Sequence, residues 1–262
     1  MTALLRRPSI SPTIPSISII LPTYNERENI GPLIQQIYQV MGEEAEVVVV
    51  DDDSPDGTWA VVEEMAAAHP NLTLIRRKEE RGLVSALRKG IVSSKADVVA
   101  WLDCDLSMPP PKIKELYEGI LQGYDMVIGS RFVDGGGVEI VTGSQDTPLA
   151  FFMSSLLNSF IRRVLGPQVK DYTSGFVAVR RRVLENTKLA GDYGEYFIEL
   201  ACRAYRHGYR ILEIPYISPA RRKGTSKTGT HIFHYLKRGS KYIWRILKLK
   251  LSPKSSGRTE ES

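Results

Sequence analysis

The sequence predicts an α/β fold with a mostly parallel central sheet. Short runs of β-branched residues alternate with segments whose apolar residues recur at helical spacing, which is typical of parallel strands joined by helices. The run Val47–Val50 is apolar at every position, which indicates a strand buried on both faces. This doubly wound pattern covers roughly the first 130 residues.

Five strands are predicted in this part of the chain: Ser16–Leu21, Glu46–Val50, Leu72–Ile75, Val98–Leu102 and Met126–Ile128. The segments between them are predicted to be helices because their apolar residues recur every three or four positions: Ile30, Leu33, Ile34, Ile37 and Tyr38, then Trp59, Val62, Met65 and Ala66, then Leu83, Leu87 and Ile91, then Ile113, Leu116, Tyr117 and Ile120. Asn25 with Glu28 predicts a capping box, and Asp56-Gly57-Thr58 predicts a turn into the next helix.

The rest of the chain is more irregular. A glycine-rich link at 135–137 and a polar loop at 142–147 precede a predicted helix over Pro148–Leu165. A second helix is predicted around Tyr193–His207, a strand over Tyr209–Ile217, and a last helix over 229–251. Residues 1–15 and 252–262 are expected to be disordered.

Two cysteines exclude a disulfide framework and predict free thiols in a reducing compartment. No apolar stretch reaches the length of a spanning helix, and the start of the chain does not read as a signal peptide. Charge is unevenly distributed: residues 221–262 carry 12 Lys and Arg against two acids, whereas the first 220 carry 23 against 28. This basic tail predicts an anionic partner surface, either membrane or nucleic acid.

Polar residues cluster where each predicted strand ends. The clusters are PTYNE at 22–26, DDDSPDG at 51–57, RRKEERG at 76–82, DCD at 103–105 and GSRF at 129–132. Ligands of open α/β sheets bind outside the carboxyl ends of the strands, so these five clusters are expected to form one site. Acids and glycines are ordinary loop residues, which explains any single cluster but explains all five poorly.

Asp103 and Asp105 are candidate metal ligands. The chain has neither of the two standard glycine-rich phosphate loops, so a bound diphosphate needs another source of positive charge. Mg²⁺ or Mn²⁺ is typically held by one or two carboxylates together with substrate phosphates. The pair alone is equally compatible with a capping role, and its position at a strand end favours the metal.

Six motifs in order resemble family-2 glycosyltransferases of the GT-A fold, and within them the polyprenyl-phosphate (dolichyl-phosphate) mannosyltransferases. They are IILPTYNERENI, VVVVDDDSPDGT, DCDLSMPP, GSRF, YTSGF and RRKGTSK, and they span about residues 16–228. The resemblance implies a single GT-A domain over 16–228. It also implies inverting transfer of mannose from GDP-mannose to a polyprenyl (dolichyl) phosphate.

The resemblance also implies residue roles. The nucleotide sugar would be bound by Pro22, Tyr24, Glu26, Val50, Asp52, Asp103, Cys104, Asp105, Arg131, Arg221 and Lys227, with Asp52 accepting from the base. Mg²⁺ or Mn²⁺ would be held by Asp103, Asp105 and Ser107, with Asp105 the main ligand. The catalytic residues would be Asp105 with Arg131, Arg221 and Lys227, whose charges neutralise the donor and acceptor phosphates.

The chain departs from the family pattern at two positions. Cys104 stands where family members commonly have alanine, and a thiol is close to a methyl group in size. Ala150 stands where an arginine usually precedes the Ser-x-x-x-Asn pattern that Ser154 and Asn158 preserve. One phosphate contact is therefore expected to be missing.

The last helix interleaves basic residues with an apolar stripe that includes Tyr242 and Trp244, which favours a membrane surface over nucleic acid. Docking of that stripe on the body, or on a small membrane-spanning partner subunit, is equally compatible with the pattern. The expected location is the cytosolic face of a membrane, the endoplasmic reticulum in a eukaryote or the plasma membrane in a prokaryote. Alternatives are a UDP-glucose-dependent polyprenyl-phosphate glucosyltransferase, a non-catalytic module that binds membrane or nucleic acid, and an inactive scaffold.

Overall fold

The computed structural model describes residues 16–139, 148–187, 189–219 and 232–252, and within them the side chains of all but 148–150 and 232–240. The predicted disorder at 1–15 and at 253–262 lies outside the described residues, and so do Arg221 and Lys227. Ser252 is described, and its amide closes the last turn of the final helix on the carbonyl of Lys248.

A seven-stranded sheet forms the centre of the molecule, in the order β3-β2-β1-β4-β7-β5-β8. A two-stranded sheet of β6 and β9 lies beside it. The strands are β1 Ile17–Thr23, β2 Glu46–Asp51, β3 Leu72–Arg76, β4 Val98–Trp101, β5 Met126–Ser130, β6 Gly137–Val138, β7 Val177–Arg180, β8 Ile211–Pro215 and β9 Ile217–Ser218. All six predicted strands are confirmed to within a few residues, and the last of them is divided into β8 and β9.

The helices that the structure describes are α1 Arg27–Met41, α2 Thr58–Ala66, α3 Leu83–Ser93, α4 Pro111–Leu121, α5 Pro148–Leu165, α6 Arg181–Asn186, α7 Glu195–Arg206 and α8 Ile232–Leu251. The capping box at Asn25 is wrong, because Asn25 adopts a left-handed φ of 56° and α1 begins two residues later. The predicted turn into α2 is confirmed. Asp56 accepts hydrogen bonds there from the amide and the hydroxyl of Thr58, at 2.9 and 2.6 Å.

The central sheet is parallel except at β7, which runs antiparallel to both β4 and β5. Strand β7 comes from the motif region that follows α5, and the sequence pattern did not predict it. Since β7 alone is reversed, its amino end lies at the edge where the other strands have their carboxyl ends. The residues just before Val177 are thereby brought to that edge.

Both faces of the sheet are covered, as a doubly wound fold requires. Alternate residues of β1 point to opposite sides: Ile19 and Leu21 pack with α1 and α4, whereas Ile20 packs with the core that includes α3, α5, α7 and α8. Both cysteines are free and buried, which confirms the prediction from their number.

Helix α8 is part of the fold. Its Ile246 and Leu249 are buried in the core beside α7 and α5, and Arg245 forms an ion pair of 2.5 Å with the buried Glu199 of α7. Docking on the body, one of the two interpretations of this helix, is therefore confirmed for Ile246 and Leu249, whereas Ile243, Trp244 and Leu247 of the same helix are exposed. None of the helices that the structure describes combines the length and apolar character needed to cross a bilayer.

Candidate active site

The five predicted polar clusters meet at one edge of the sheet. Strands β1, β2, β3 and β4 are mutually parallel, and β5 has the same direction because β7 is antiparallel to both β4 and β5. The residues that follow each strand therefore leave the sheet on the same side. This confirms that the clusters share one region of the molecule.

The segment after β1 is fastened to the segment after β2. The amide of Asn25 donates to the hydroxyl of Ser54 at 3.0 Å, and the amide of Glu26 donates to the hydroxyl of Thr58 at 2.9 Å. Glu26 is buried at the start of α1, where its carboxylate accepts from the side-chain amide of Asn29 at 2.9 Å. Tyr24 remains partly exposed, with the Arg81 guanidinium 5.4 Å from its ring centroid.

The three acids after β2 have three different roles. Asp51 is fully buried and accepts from the hydroxyl of Thr23 at 2.9 Å and the amide of Ser54 at 2.8 Å, which fixes the turn. Asp53 adopts a left-handed φ of 55° and accepts from Nε of Arg76 at 2.6 Å near the surface. Asp52 lies between them and points into the site region.

Asp52 forms a buried ion pair with Arg77, and both side chains are less than 10% exposed. The Asp52 carboxylate accepts from Nε of Arg77 at 2.8 Å, from a second nitrogen of the same guanidinium, and from the amide of Gly82 at 2.7 Å. Arg77 also donates to the hydroxyl of Ser85 at 2.8 Å. The carboxylate therefore retains capacity for about one further hydrogen bond. The role of Asp52 at the nucleobase stays a prediction. The carboxylate has one lone pair left with which it could accept a hydrogen bond from the base.

The DCD segment turns sharply after β4. The amide of Ser107 donates to Oδ1 of Asp105 at 3.0 Å, and Leu106 between them adopts a left-handed φ of 62°. The Ser107 carbonyl accepts from the hydroxyl of Ser218 on β9 at 2.9 Å, so the small sheet holds this turn from outside. Asp103 is exposed and Asp105 is partly exposed, whereas neighbouring Leu102 and Cys104 are buried.

Cys104 lies under the turn rather than in the solvent-exposed part of the site. Its thiol is 3.5 Å from the carbonyl oxygen of Pro22, to which it donates, and the residue is 3% exposed. The side chain thus packs against the end of β1. A small apolar residue would fill the same position.

Arg131 follows β5 and is held by Asp171, whose side chain is fully buried. The backbone amide, Nε and one terminal nitrogen of Arg131 all donate to the Asp171 carboxylate, at 3.1, 2.9 and 2.9 Å. The same terminal nitrogen also donates to the hydroxyl of Thr173 at 3.0 Å. This bidentate contact fixes the plane of the guanidinium.

The Arg131 guanidinium stays protonated and positively charged. Burial lowers its pKa, but the carboxylates of Asp171 and, to a smaller extent, Asp103 more than offset this effect and raise the pKa above its usual value. Burial also raises the pKa of the neighbouring Tyr216 to about 12, so that this phenol stays neutral.

All three predicted metal ligands, Asp103, Asp105 and Ser107, lie in the turn after β4. In the part of the chain that the structure describes, no group of three or more His, Cys, Asp and Glu side chains is arranged to hold an ion. Two carboxylates and the Ser107 hydroxyl are the oxygen donors that the DCD turn offers. Arg221 and Lys227, predicted to complete the phosphate contacts, lie outside the described residues.

The predictions missed two residues that hold the predicted ones in place. For Arg77, the only indication in the sequence was its place in the polar run at 76–82. Asp171 lies in KDYTSGFVAVRR, a motif whose following strand was not predicted. The alternating apolar positions in FVAVR were the available signal for β7, but nothing local indicates that the strand is antiparallel.

Comparison with known proteins shows the relationship. The sequence profile of glycosyl transferase family 2 matches residues 18–187. A dolichol-phosphate mannosyltransferase of Pyrococcus furiosus is 37% identical over 88% of this chain, which spans 64% of that relative's length. A polyprenol monophosphomannose synthase of Mycolicibacterium smegmatis is 33% identical over 82% of each chain.

The fold also has solved counterparts. A glucosyl-3-phosphoglycerate synthase of Mycobacterium tuberculosis, solved with Mn²⁺, UDP and phosphoglyceric acid, superposes with a TM-score of 0.66. It is 20% identical, and the match covers 92% of this chain and 80% of the other. At that identity the likeness concerns the fold alone.

Breaking the buried Asp52–Arg77 pair is expected to be costly. Arg77→Gln leaves a buried carboxylate without its cation and should lower the free energy of unfolding by about 3–5 kcal/mol. The control is Arg76→Gln, which removes a partly exposed pair with Asp53 and a stacking contact on Trp59, and should cost about 1 kcal/mol. Urea unfolding measures both values, and equal losses would contradict the special role of the buried pair.

Proposed function

Because the chain belongs to glycosyl transferase family 2 and has its GT-A fold, we propose that this glycosyltransferase moves mannose from GDP-mannose to a polyprenyl phosphate. The relatives named above support the mannosyl and polyprenyl parts of this proposal. One observation in the structure carries it. The paired acids follow β4 and the fixed guanidinium follows β5, the two strands that flank β7, so both lie at one edge of the sheet and suit a substrate with both a cation-bound diphosphate and a second phosphate.

The donor nucleotide would lie over the ends of β1 and β2. Tyr24, Glu26 and Asp52 lie on these two segments, which are joined by the bonds of Asn25 and Glu26 described above and by the bond from the Asp52 amide to the Thr23 carbonyl at 3.1 Å. Tyr24 offers a partly exposed aromatic face, and Asp52 keeps one acceptor direction for a donor on the base. Guanine presents N–H donors on its Watson–Crick edge, so a fixed carboxylate can favour it.

The DCD turn fits a hard divalent cation. Asp103 and Asp105 supply carboxylate oxygens, and the Cys104 thiol is turned away toward the Pro22 carbonyl. Two carboxylates with substrate phosphates and water are the usual ligands of Mg²⁺. We propose that Asp103 and Asp105, with the Ser107 hydroxyl, hold Mg²⁺ or Mn²⁺. When bound, the ion supplies Lewis-acid stabilisation of the charge on the departing diphosphate.

The acceptor needs no general base. A phosphate oxygen of the lipid is ionised near neutral pH and can attack the anomeric carbon directly, with inversion, as GDP leaves. The residues must then align two anions, which is the task of Arg131 in the described part of the chain and of Arg221 and Lys227 by resemblance. Glu199, a conceivable base, has one carboxylate oxygen occupied by Arg203 at 2.7 Å and the other by Arg245.

A membrane surface is the proposed source of the acceptor. Helices α5 and α8 are in contact, and both present exposed apolar side chains between 41% and 84% accessible: Phe152, Met153, Leu156, Phe160, Ile243, Trp244, Leu247 and Leu251. Lys248 and Lys250 lie on the exposed side of α8, with Nζ of Lys248 5.1 Å from the Trp244 ring. Apolar and basic side chains together favour an anionic bilayer surface. We place the chain peripherally on the cytosolic face, with or without a membrane-spanning partner subunit.

The donor assignment predicts a clear preference. With Mg²⁺ or Mn²⁺ and a short polyprenyl phosphate, GDP-mannose should give a mannosyl-lipid, and free GDP should compete with the donor more strongly than UDP does. Thin-layer or mass-spectrometric analysis of the lipid product measures this. Product from UDP-glucose alone would replace the proposal with a glucosyl transfer, and no glycolipid from either donor would overturn it.

Substitutions of the acids at the two ends of β4 are expected to have opposite effects on mannosyl transfer. Asp105→Ala should lower transfer by at least about 100-fold while the protein stays folded, since it removes the main ligand of the ion. Asp97→Ala is the control: that exposed acid lies at the amino end of the same strand, and its carboxylate accepts from the amide and the hydroxyl of Ser16 at 3.1 and 3.3 Å. It should leave transfer unchanged. Full activity of Asp105→Ala, or of the wild type in excess chelator, would eliminate the metal role.

Membrane contact through α5 and α8 is testable by flotation with vesicles rich in phosphatidylglycerol. Phe152→Glu combined with Leu247→Glu should reduce binding by about tenfold or more, because burial of two apolar side chains is lost. Val92→Glu is the control, an even more exposed apolar position, on α3. Removing the tail after residue 228 is a poorer test because it also takes Ile246 and Leu249 out of the core. Unchanged flotation of the double variant would refute this surface.

A further inference from the structure

Asp171 is a fully buried acid that none of the roles above uses. Its side chain is 0% exposed, and its carboxylate accepts five hydrogen bonds. Three come from Arg131, as described, and two from the amide and hydroxyl of Thr173 at 3.1 and 3.0 Å. No capacity is left on this carboxylate for a ligand. Its contacts are therefore with the protein alone.

The backbone that carries Asp171 is itself held in place. Glu213 on β8 accepts from the amide of Lys170 at 2.6 Å and from the amide of Asp171 at 3.0 Å. Because β8 pairs in parallel with β5, the strand that leads into Arg131, the acid and the arginine are both positioned from the same pair of strands. The carboxylate thus has a fixed location relative to the guanidinium.

Thr173 extends this arrangement to α5. Its hydroxyl contacts Oδ1 of Asp171, a terminal nitrogen of Arg131 at 3.0 Å, the hydroxyl of Ser154 at 3.1 Å and the side-chain amide of Asn158 at 2.8 Å. Asn158 also accepts from the amide of Tyr172 at 2.7 Å. The inward side of α5 is therefore tied to the same hydrogen-bond network as Arg131.

We infer that Asp171 is a positioning residue, which fixes the Arg131 guanidinium in the orientation that the acceptor phosphate requires, and that Thr173 couples this orientation to α5. The inference rests on the proposed function, since it assumes that Arg131 contacts a phosphate. Nε and one terminal nitrogen of Arg131 are used by Asp171 and Thr173. The other terminal nitrogen can then be presented to the ligand in a set direction.

Loss of the Asp171 charge would release Arg131 toward another acid. Asp103 follows β4, which lies on the other side of β7 from β5 at the same edge of the sheet. A guanidinium that turned away from Asp171 would no longer hold the acceptor phosphate in line with the anomeric carbon. The expected defect is therefore in the rate of the bound complex, more than in donor affinity.

The experiment is a double-mutant cycle with a matched control. Asp171→Asn should lower kcat by about 100-fold with little change in the donor KM, because a displaced reacting group carries a penalty of this size. The variant Arg131→Ala should lose at least as much, and the combination of both substitutions should lose no more than Arg131→Ala alone. The control is Asp125→Asn. Asp125 is a buried acid just before β5, at the edge of the sheet opposite to Arg131, and it pairs with Arg182 of α6. The substitution should lower the melting temperature to a comparable extent and keep the wild-type kcat.

A second pair of variants keeps the ion pair intact. Thr173→Val should lower kcat by about tenfold through the loss of hydrogen bonds to charged groups, and Thr173→Ser should restore it. This pair also tests the inference if Asp171→Asn fails to fold.

The outcomes separate the two proposals. If Arg131→Ala is fully active, the proposed phosphate contact of Arg131 fails. If Arg131→Ala is inactive but Asp171→Asn keeps its kcat, or the two losses multiply in the combined variant, the positioning role is overturned and the proposed function stands. A Thr173→Val variant with wild-type kcat overturns the coupling to α5.

Discussion

The reversed strand β7 is the constraint on which the arrangement of the site depends. It separates β4 from β5, so the strand that leads into the acids and the strand that leads into Arg131 are two strand spacings apart, about 10 Å. That separation leaves room for a ligand between them. Since β7 enters the sheet from this edge, the segment just before it supplies Asp171 and Thr173 in the space beside Arg131. A parallel strand in the place of β7 would bring its carboxyl end to this edge, and the segment before it would lie at the opposite edge.

Two buried ion pairs flank this space, and they are similar in construction. In each, an acid with almost no solvent access accepts from two nitrogens of one guanidinium and from a backbone amide: Asp52 from Arg77 and Gly82, and Asp171 from Arg131 and Thr173. Buried pairs add little net stability compared with apolar packing. Their value here is that a charged group has one orientation. The Asp52 pair fixes an acceptor carboxylate and the Asp171 pair fixes a donor guanidinium, as suits ligands with both donor and acceptor groups.

Much of this arrangement could be predicted from the sequence. The parallel strands are short apolar runs, and their polar ends are local in sequence, so the shared edge and the acids at 103 and 105 could be predicted. The reversal of β7 could not, because strand direction depends on which neighbours β4 and β5 leave open. For the same reason Asp171 was not identified, since its partner is 40 residues away along the chain. The capping box at Asn25 failed because the Asn25 amide instead bonds to Ser54, a tertiary contact that outweighs the local signal.

The docking of α8 also has a consequence for how the molecule unfolds. Ile246 and Leu249 share one apolar core with residues of β4, β5 and α7, and the Arg245–Glu199 pair ties the helix to α7. Such a helix cannot detach without exposing that core, so its opening is coupled to the opening of the sheet face beneath it. Helix α8, with its exposed Trp244, therefore belongs to the same cooperative unit as the sheet beneath it. In hydrogen-exchange terms, the amides of its buried face would report the stability of the core, although the opposite face of the helix is in solvent.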